Sequence, residues 1–196
     1  MADNQISTTC CIAGGGPAGM MLGFLLARAG IRVTVLEKHA DFLRDFRGDT
    51  IHPSTLELMH ELGLLDAFLK LPHSRVETLS GQIGETRVTI GDFRHLPTHC
   101  KFVALMPQWD FLDFLAERGR RFPNFDLRLR AEATDLVQEN GRVAGVRTKT
   151  LDGELGHSRR SGGRLRWSPL HTAPLRGLQG GGSRCPDGRV VVPAVT

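Results

Sequence analysis

Short apolar runs separated by glycine dominate the first forty residues and predict a β-turn-α-β unit. Residues 7–13 form a compact apolar run typical of a buried strand, and a glycine-rich turn follows at 14–19. Residues 18–29 have helical composition and end at Gly30, which is favourable just after a helix. Residues 31–36, with two β-branched valines, favour a second strand. Elements of this order and size form a parallel crossover unit.

The pattern continues with alternating helices and strands as far as residue 155. It predicts helices at 53–62 and 108–122, antiparallel strands across about 73–105, and strands at 127–129, 134–137 and 143–150. The pairs Asn140-Gly141 and Asp152-Gly153 favour hairpin turns. We therefore expect an α/β fold over residues 1–155, a Rossmann-type domain with a parallel sheet and the beginning of an antiparallel substrate-lobe sheet. Residues 156–196 lose all periodicity, and we expect an irregular, disordered tail.

The turn after the first strand satisfies the pattern G-x-G-x-x-G. Its residues are Gly14, Gly15, Gly16, Pro17, Ala18 and Gly19. The first glycine permits a tight turn, the second lets the backbone approach a pyrophosphate, and the third lets the helix pack on the strand. Glu37 ends the next strand, where a carboxylate can accept hydrogen bonds from ribose hydroxyls. The motif predicts dinucleotide binding without separating FAD from NAD, and an accidental glycine-rich turn is the alternative.

Composition excludes several other classes of function. Four cysteines without paired spacing predict neither a disulfide scaffold nor a metal site, and adjacent Cys10 and Cys11 are interpreted as reduced strand residues. The start of the chain is polar and acidic, unlike a signal peptide. The longest apolar run, residues 20–27, is too short to cross a bilayer. We expect a cytoplasmic protein without a membrane partner, and the sequence does not indicate its oligomeric state.

The positive charge of the chain lies at one end. Seven of the 25 basic residues but only one of the 21 acidic residues fall in 157–196, so that segment carries +6 and the remainder −2. Aromatic residues that could stack on bases are missing from this tail apart from Trp167. We therefore expect no nucleic-acid partner, although a basic arm for RNA or anionic lipid is the alternative interpretation.

Four segments of the chain match one known family: CCIAGGGPAGMMLGFLLARAGIRVTVLEKH, FRGDTIHPSTLELMHELGLLDAF, MPQWDFLDFL and the strands of residues 125–150. Together they resemble the FAD-dependent aromatic-ring hydroxylases, the p-hydroxybenzoate hydroxylase-like flavin monooxygenases. The resemblance covers about residues 7–155 and the N-terminal part of that family. The second segment favours FAD over NAD most strongly, because NAD dehydrogenases have no reason to carry it.

The resemblance implies further cofactor contacts and a reaction. Lys38 follows Glu37 where the family usually has a basic residue, Arg47 is expected against the flavin nucleotide, and Gln108 against the cofactor. The implied cofactors are FAD and NAD(P)H as the reductant. The implied reaction uses O₂ to hydroxylate an aromatic or polyketide-like small molecule, chemistry that belongs mostly to the flavin. No catalytic side chain is assigned. The family enzyme would continue well beyond residue 196.

Two other functions remain open for the same residues. One is a non-catalytic, truncated remnant that binds FAD or ADP-like ligands weakly. The other is a different FAD-dependent oxidoreductase with the same opening, such as a halogenase or a reductase. Flavin absorption, halide-dependent product formation and NADPH consumption with phenols would separate the three.

The tail also fits a shifted reading frame. The family has a segment resembling DLVVGCDGRxSTLR after these strands, and an Asp-Gly pair in it contacts flavin and pyridine nucleotide. When residues 157–173 are back-translated and each codon starts one nucleotide later, the run can read IRADLVVGCD, then GR and STLR. Trp167 has a single codon and forces the glycine. Residues 185–192 can read VPMDVLWF, which also resembles a family segment. We therefore predict a frame slip between about Asp152 and His157.

Overall fold

The computed structural model describes residues 5–43, 49–139, 142–150, 162–167 and 191–193. The helices in these ranges are α1 (Pro17–Arg28), α2 (Pro53–Glu61), α3 (Leu65–Phe68) and α4 (Gln108–Gly119), with a 3₁₀ turn at Phe93–His95. The strands are β1 (Gln5–Thr8), β2 (Cys10–Ala13), β3 (Val33–Leu36), β4 (Thr50–Ile51), β5 (Ser74–Val76), β6 (Thr78–Ile83), β7 (Thr86–Asp92), β8 (Val103–Leu105), β9 (Phe125–Arg128), β10 (Ala131–Glu139), β11 (Arg142–Thr150), β12 (Gly162–Trp167) and β13 (Val191–Pro193). The chain divides into two compact units, residues 1–42 with 115–196 and residues 43–114.

The first unit contains a parallel sheet in the order β13-β2-β3-β9. Cys10 pairs with Val33 and Val33 with Phe125, so the three strands run in register beside one another. All of β3 and most of β2 are buried. This explains why their sequences are continuous apolar runs rather than alternating ones, since parallel strands are usually covered on both faces.

Helix α1 crosses from β2 to β3 and packs closely on this sheet. It begins with a proline, whose fixed φ suits the first helical position, and Gly30 follows it with φ +81°. A Cβ on Gly23 would lie 2.7 Å from Cγ2 of Val35. The helix can approach the sheet this closely only because it has no side chain there.

A second sheet of the first unit has the order β1-β12-β11-β10, with β10 and β11 forming an antiparallel pair. A small apolar cluster joins the two sheets of this unit through Cys11, Leu36, Ala131 and Val146. Strands β12 and β13 fall within residues 156–196, for which composition alone predicts no regular element. β12 pairs in parallel with β1, and β13 in parallel with β2.

The second unit combines short helices with two antiparallel sheets. β8 lies between β4 and β5, and β6 and β7 form a two-stranded hairpin. Phe68 of α3 contacts Phe111 and Phe114 of α4 edge-to-face, at centroid distances of 5.7 and 5.2 Å. Aromatic edge-to-face pairs of this geometry are favourable, so they fix the helical part of the unit.

The α/β class, the parallel sheet and the antiparallel strands within 73–105 are confirmed. The helices predicted at 53–62 and 108–122 are present with shorter C-terminal ends, and the first strand is divided at Thr9 into β1 and β2. The predicted turns at Asn140-Gly141 and Asp152-Gly153 lie outside the described residues, as does the interval between Asp152 and His157. In the described residues no helix combines the length and apolar character needed to cross a membrane.

Candidate functional site

The glycine loop between β2 and α1 is built by two close backbone approaches. Gly14 has φ +112°, a conformation that favours glycine, and its N–H donates to the carbonyl of Leu36 (2.8 Å). A Cβ on Gly19 would collide with the carbonyl oxygen of Gly14. The first and third glycines of the motif are therefore required by the fold of the loop itself.

Gly16 has a different role from Gly14 and Gly19. Its backbone is extended (φ −72°, ψ −179°), and a Cβ there would meet nothing within 4 Å. No internal contact of the protein therefore requires glycine at this position. The open space over Gly16 is what close approach of a phosphate to the backbone would need.

The start of α1 presents backbone donors to that space. The first helical hydrogen bond runs from Met20 N–H to Gly16 O (2.9 Å), so the N–H groups of Ala18 and Gly19 are not used within the helix. Pro17 and Ala18 are exposed. Within this fully described first turn there is no acidic side chain. Free amides and the positive end of the helix dipole together favour an anion.

Glu37, directly after β3, lies under the loop, and hydrogen bonds from Gly15 and His39 hold its carboxylate. The side chain is buried, with 6% of the residue exposed. Oε2 accepts from Gly15 N–H (2.9 Å), and Oε1 accepts from the backbone N–H of His39 (3.0 Å) and from its Nδ1 (2.6 Å). Hydrogen bonds to a carboxylate are stronger than those between neutral groups, so this carboxylate has a defined orientation beside the loop.

The backbone on both sides of Glu37 is tied to β9 and β10. Glu37 N–H donates to Arg128 O, and Ala131 N–H donates to Glu37 O, each at 2.8 Å. Arg130, with φ +55°, donates its N–H to His39 O (2.8 Å). The position of the acidic residue is thus fixed by the sheet as well as by its side-chain contacts.

The remaining predicted cofactor residues lie in three different situations. Lys38 is exposed and follows Glu37 in the same bend. Gln108 is half-buried and is the first residue of α4, in the second unit. Arg47 lies outside the described residues. The structure thus brings Gly14, Gly16, Pro17, Ala18, Gly19, Glu37 and Lys38 to one loop region.

Two residues of this site have no place in the sequence motif. Gly15 occupies a variable position, yet a Cβ there would lie 2.9 Å from Cβ of Glu37, and its N–H binds the carboxylate. His39 holds the other carboxylate oxygen. Two features of the sequence could have indicated these residues. One is the run of three glycines, and the other is a polar residue able to form hydrogen bonds two positions after the glutamate.

The thiols of Cys10 and Cys11 in β2 are buried, and their pKa values are raised. Burial raises the pKa of Cys10 to about 11 and that of Cys11 to about 12, where proximity to Cys10 also contributes. Thiols with such a raised pKa are poor nucleophiles at neutral pH. Across the part of the chain that the structure describes, no three His, Cys, Asp or Glu side chains are grouped to hold a metal ion.

A loop of this geometry followed by a buried acid defines a dinucleotide-binding α/β protein. The family model for the FAD binding domain matches residues 7–158, more than half of the chain. The chain therefore belongs to the FAD-binding domain family. The match begins in β1 and ends at residue 158, one residue after the interval in which the sequence predicts a frame slip.

Proteins similar to the chain include oxygenases and a halogenase. The chain is 34% identical over 140 residues to 6-methylpretetramide 4-monooxygenase of Streptomyces rimosus. The matched region covers 71% of this chain and 33% of that protein. Its fold matches OxyS anhydrotetracycline hydroxylase from Streptomyces rimosus (25% identity, TM-score 0.63, 83% of this chain and 30% of that chain). It also matches the myxobacterial chondrochloren halogenase CndH (25% identity, TM-score 0.66, 82% and 36%). The chain spans about a third of the length of these proteins.

Proposed function

We propose that this chain is the FAD-holding part of an FAD-dependent monooxygenase that hydroxylates an aromatic or polyketide-like small molecule. The observation that carries the proposal is the phosphate loop with the buried Glu37 beneath it, inside a family match over residues 7–158. The similarity to 6-methylpretetramide 4-monooxygenase supports the class of substrate.

In this proposal the adenosine diphosphate part of FAD is held by the first unit. Gly14, Gly16, Pro17, Ala18 and Gly19 form the phosphate cradle, where backbone amides and the helix dipole offset negative charge. Glu37 accepts hydrogen bonds from the adjacent ribose, and Lys38 adds a positive charge at the exposed edge. Arg47 and Gln108 are proposed to contact the flavin nucleotide and the cofactor, respectively.

Bound FAD supplies the redox chemistry, with NAD(P)H as reductant and O₂ as co-substrate. The residues of this chain bind and orient the cofactor, and no side chain of the chain is assigned a proton transfer. We propose a cytoplasmic protein, because Cys10, Cys11 and Cys100 are free thiols, as is usual in a reducing compartment.

The similarity to a halogenase makes halogenation a second candidate function. The fold similarity to chondrochloren halogenase is as high as that to the anhydrotetracycline hydroxylase, so the FAD domain alone does not separate oxygen insertion into a ring from halogenation. Product analysis with phenolic substrates and NADPH, in the presence and absence of chloride and bromide, separates them. A halogenated product formed only with halide would overturn the monooxygenase assignment.

The first test is retention of flavin by the purified 196-residue chain. After incubation with FAD and removal of free cofactor, we expect flavin absorption bands that co-elute with the protein. Glu37→Gln replaces the carboxylate by an amide of the same shape and should reduce FAD retention, whereas Glu132→Gln, an exposed acid on β10, should leave it unchanged. Absence of flavin from the folded unmodified chain, shown by its circular dichroism, would contradict the proposal.

A further inference from the structure

We infer that His39 is a positioning residue for the nucleotide ribose, acting through Glu37. This inference rests on the proposed function, because it concerns the same acidic residue. His39 is outside the glycine motif and touches the carboxylate rather than the phosphate loop. It therefore adds a side chain to the site that neither the motif nor the proposed contacts include.

The geometry of the pair carries the inference. Nδ1 of His39 lies 2.6 Å from Oε1 of Glu37, and the backbone N–H of the same residue lies 3.0 Å from that oxygen. A carboxylate only accepts hydrogen bonds, so Nδ1 carries the proton in this contact. The imidazole thus binds one carboxylate oxygen while Gly15 N–H binds the other at 2.9 Å.

The surroundings make this arrangement a fixed one. Glu37 is buried, and the side chain of His39 is 45% exposed, so the imidazole forms one wall between the carboxylate and solvent. The carbonyl of His39 accepts from Arg130 N–H (2.8 Å), which holds the bend in place. A carboxylate clamped by donors on both oxygens has one orientation, and a ribose hydroxyl that binds it gains from this preorganisation.

Truncating the imidazole should therefore weaken only the part of binding that depends on the ribose hydroxyls. His39→Ala keeps the backbone N–H and loses the Nδ1 donor. We expect its affinity for ADP to fall about five- to tenfold, which corresponds to about 1–1.4 kcal/mol. This is less than the contribution of one direct hydrogen bond to a charged group, because the imidazole acts through Glu37. Its affinity for 2′,3′-dideoxy-ADP, which lacks both hydroxyls, should equal that of the unmodified chain.

Isothermal titration calorimetry on the full 196-residue chain provides the measurement, and further variants test the role of the donor. His39→Asn places an amide N–H near the position of Nδ1 and should restore ADP affinity. His39→Gln places its amide near Nε2 instead and should not. His95→Ala removes an exposed histidine of the second unit and should change neither affinity. Thermal unfolding by circular dichroism confirms that each variant is folded.

The outcomes separate this inference from the proposed function. If the unmodified chain binds neither ADP nor FAD, the proposed function and this inference both fail. If it binds ADP and His39→Ala binds ADP equally well or more tightly, the inference alone is wrong. An equal loss of ADP and dideoxy-ADP affinity in His39→Ala also overturns it, because the histidine would then support the loop rather than the ribose contact.

Discussion

The crossover unit, β2-α1-β3, and the β6–β7 hairpin both have isoleucine in their strands. It is buried in the crossover unit and exposed in the hairpin. Ile12 in β2 is completely buried, whereas Ile83 and Ile90 in the hairpin are 73% and 68% exposed. β2 lies inside a parallel sheet covered by α1, while β6 and β7 pair with each other in a two-stranded sheet. A two-stranded hairpin by itself buries little apolar surface.

The apolar side chains of the hairpin gather on one face. Leu79, Gly81 and Ile83 alternate along β6, Val88 stands opposite Gly81, and Cδ1 of Ile90 would lie 2.8 Å from a Cβ on Gly81. This is the alternation of a half-buried strand, yet the face is exposed in the described structure. An apolar pattern thus predicts a strand, while the energy that the strand gains depends on what covers it.

The largest expected effect comes from adding one methyl group to the crossover unit. Gly19→Ala forces a Cβ onto the carbonyl of Gly14, and we expect the free energy of unfolding to fall by about 3 kcal/mol, at the upper end of typical overpacking costs. Gly91→Ala in β7 is the matched control, because its Cβ would lie 4.0 Å from Cβ of Leu79. Urea denaturation measures both, and equal losses would contradict the comparison.

A polar substitution at an isoleucine tests the comparison directly. Ile12→Thr removes buried apolar atoms and buries a hydroxyl, so we expect a loss of about 2 kcal/mol in unfolding free energy. Ile90→Thr makes the same chemical change at an exposed position and should stay within about 0.5 kcal/mol. It should also reduce light scattering from aggregated protein. A loss at Ile90 as large as at Ile12 would show that the hairpin face is covered in solution.

The sequence was sufficient for the crossover unit because local rules and packing agree there. The glycine spacing predicts the turn, and the composition of residues 18–29 with Gly30 after them predicts the helix. The structure has that helix at Pro17–Arg28, with each end within one residue of the prediction. Likewise the parallel pairing of β2 and β3 follows from their separation by one helix. Consistent signals at several levels make such a region predictable.

Contacts between distant residues were harder to predict. The role of Gly15 depends on the side chain of Glu37, which is 22 positions away, and the motif leaves that glycine variable. The division of the first strand at Thr9 depends on its N–H and that of Cys10 both binding Arg32 O, and Thr8 Oγ1 binds that oxygen as well. β12 and β13 have no periodicity of their own. They are defined by the strands they pair with, which are β1 and β11 for β12 and β2 for β13.

An effect on binding without an effect on stability is expected at Gly16. A Cβ there would meet nothing within 4 Å and its φ suits any residue, so Gly16→Ala should leave the melting temperature almost unchanged. The side chain would occupy the space that a phosphate needs, and ADP affinity should fall at least about tenfold, or about 1.4 kcal/mol. Unchanged ADP affinity in the folded variant would show that the phosphates lie elsewhere.

The smallest expected effect is a pH dependence at the end of the hairpin. Asp92 Oδ1 accepts from the N–H and Nε of Arg94 (3.0 Å each), and Oδ2 accepts from its Nη2 (2.8 Å). These hydrogen bonds hold the pKa of Asp92 well below its ordinary value of 3.8. The unfolded chain binds the proton first as the pH falls, so the stabilisation is present above about pH 4 and is lost progressively below it.

The variant Asp92→Asn should remove that part of the acid sensitivity. Because the carboxylate is partly exposed to solvent, we expect a small change, visible as a shallower fall of the unfolding free energy between pH 5 and pH 3. Asp66→Asn, at the first turn of α3, provides a control acid in the same unit. Because burial raises the pKa of Cys10 to about 11 and that of Cys11 to about 12, both thiols stay protonated at acid pH. The double variant Cys10→Ala, Cys11→Ala should therefore keep the acid slope of the unmodified chain. An unchanged acid slope in Asp92→Asn would mean that the end of the hairpin unfolds locally before the Asp92 carboxylate is protonated. The local stability of the hairpin would then be still lower than that of the crossover unit.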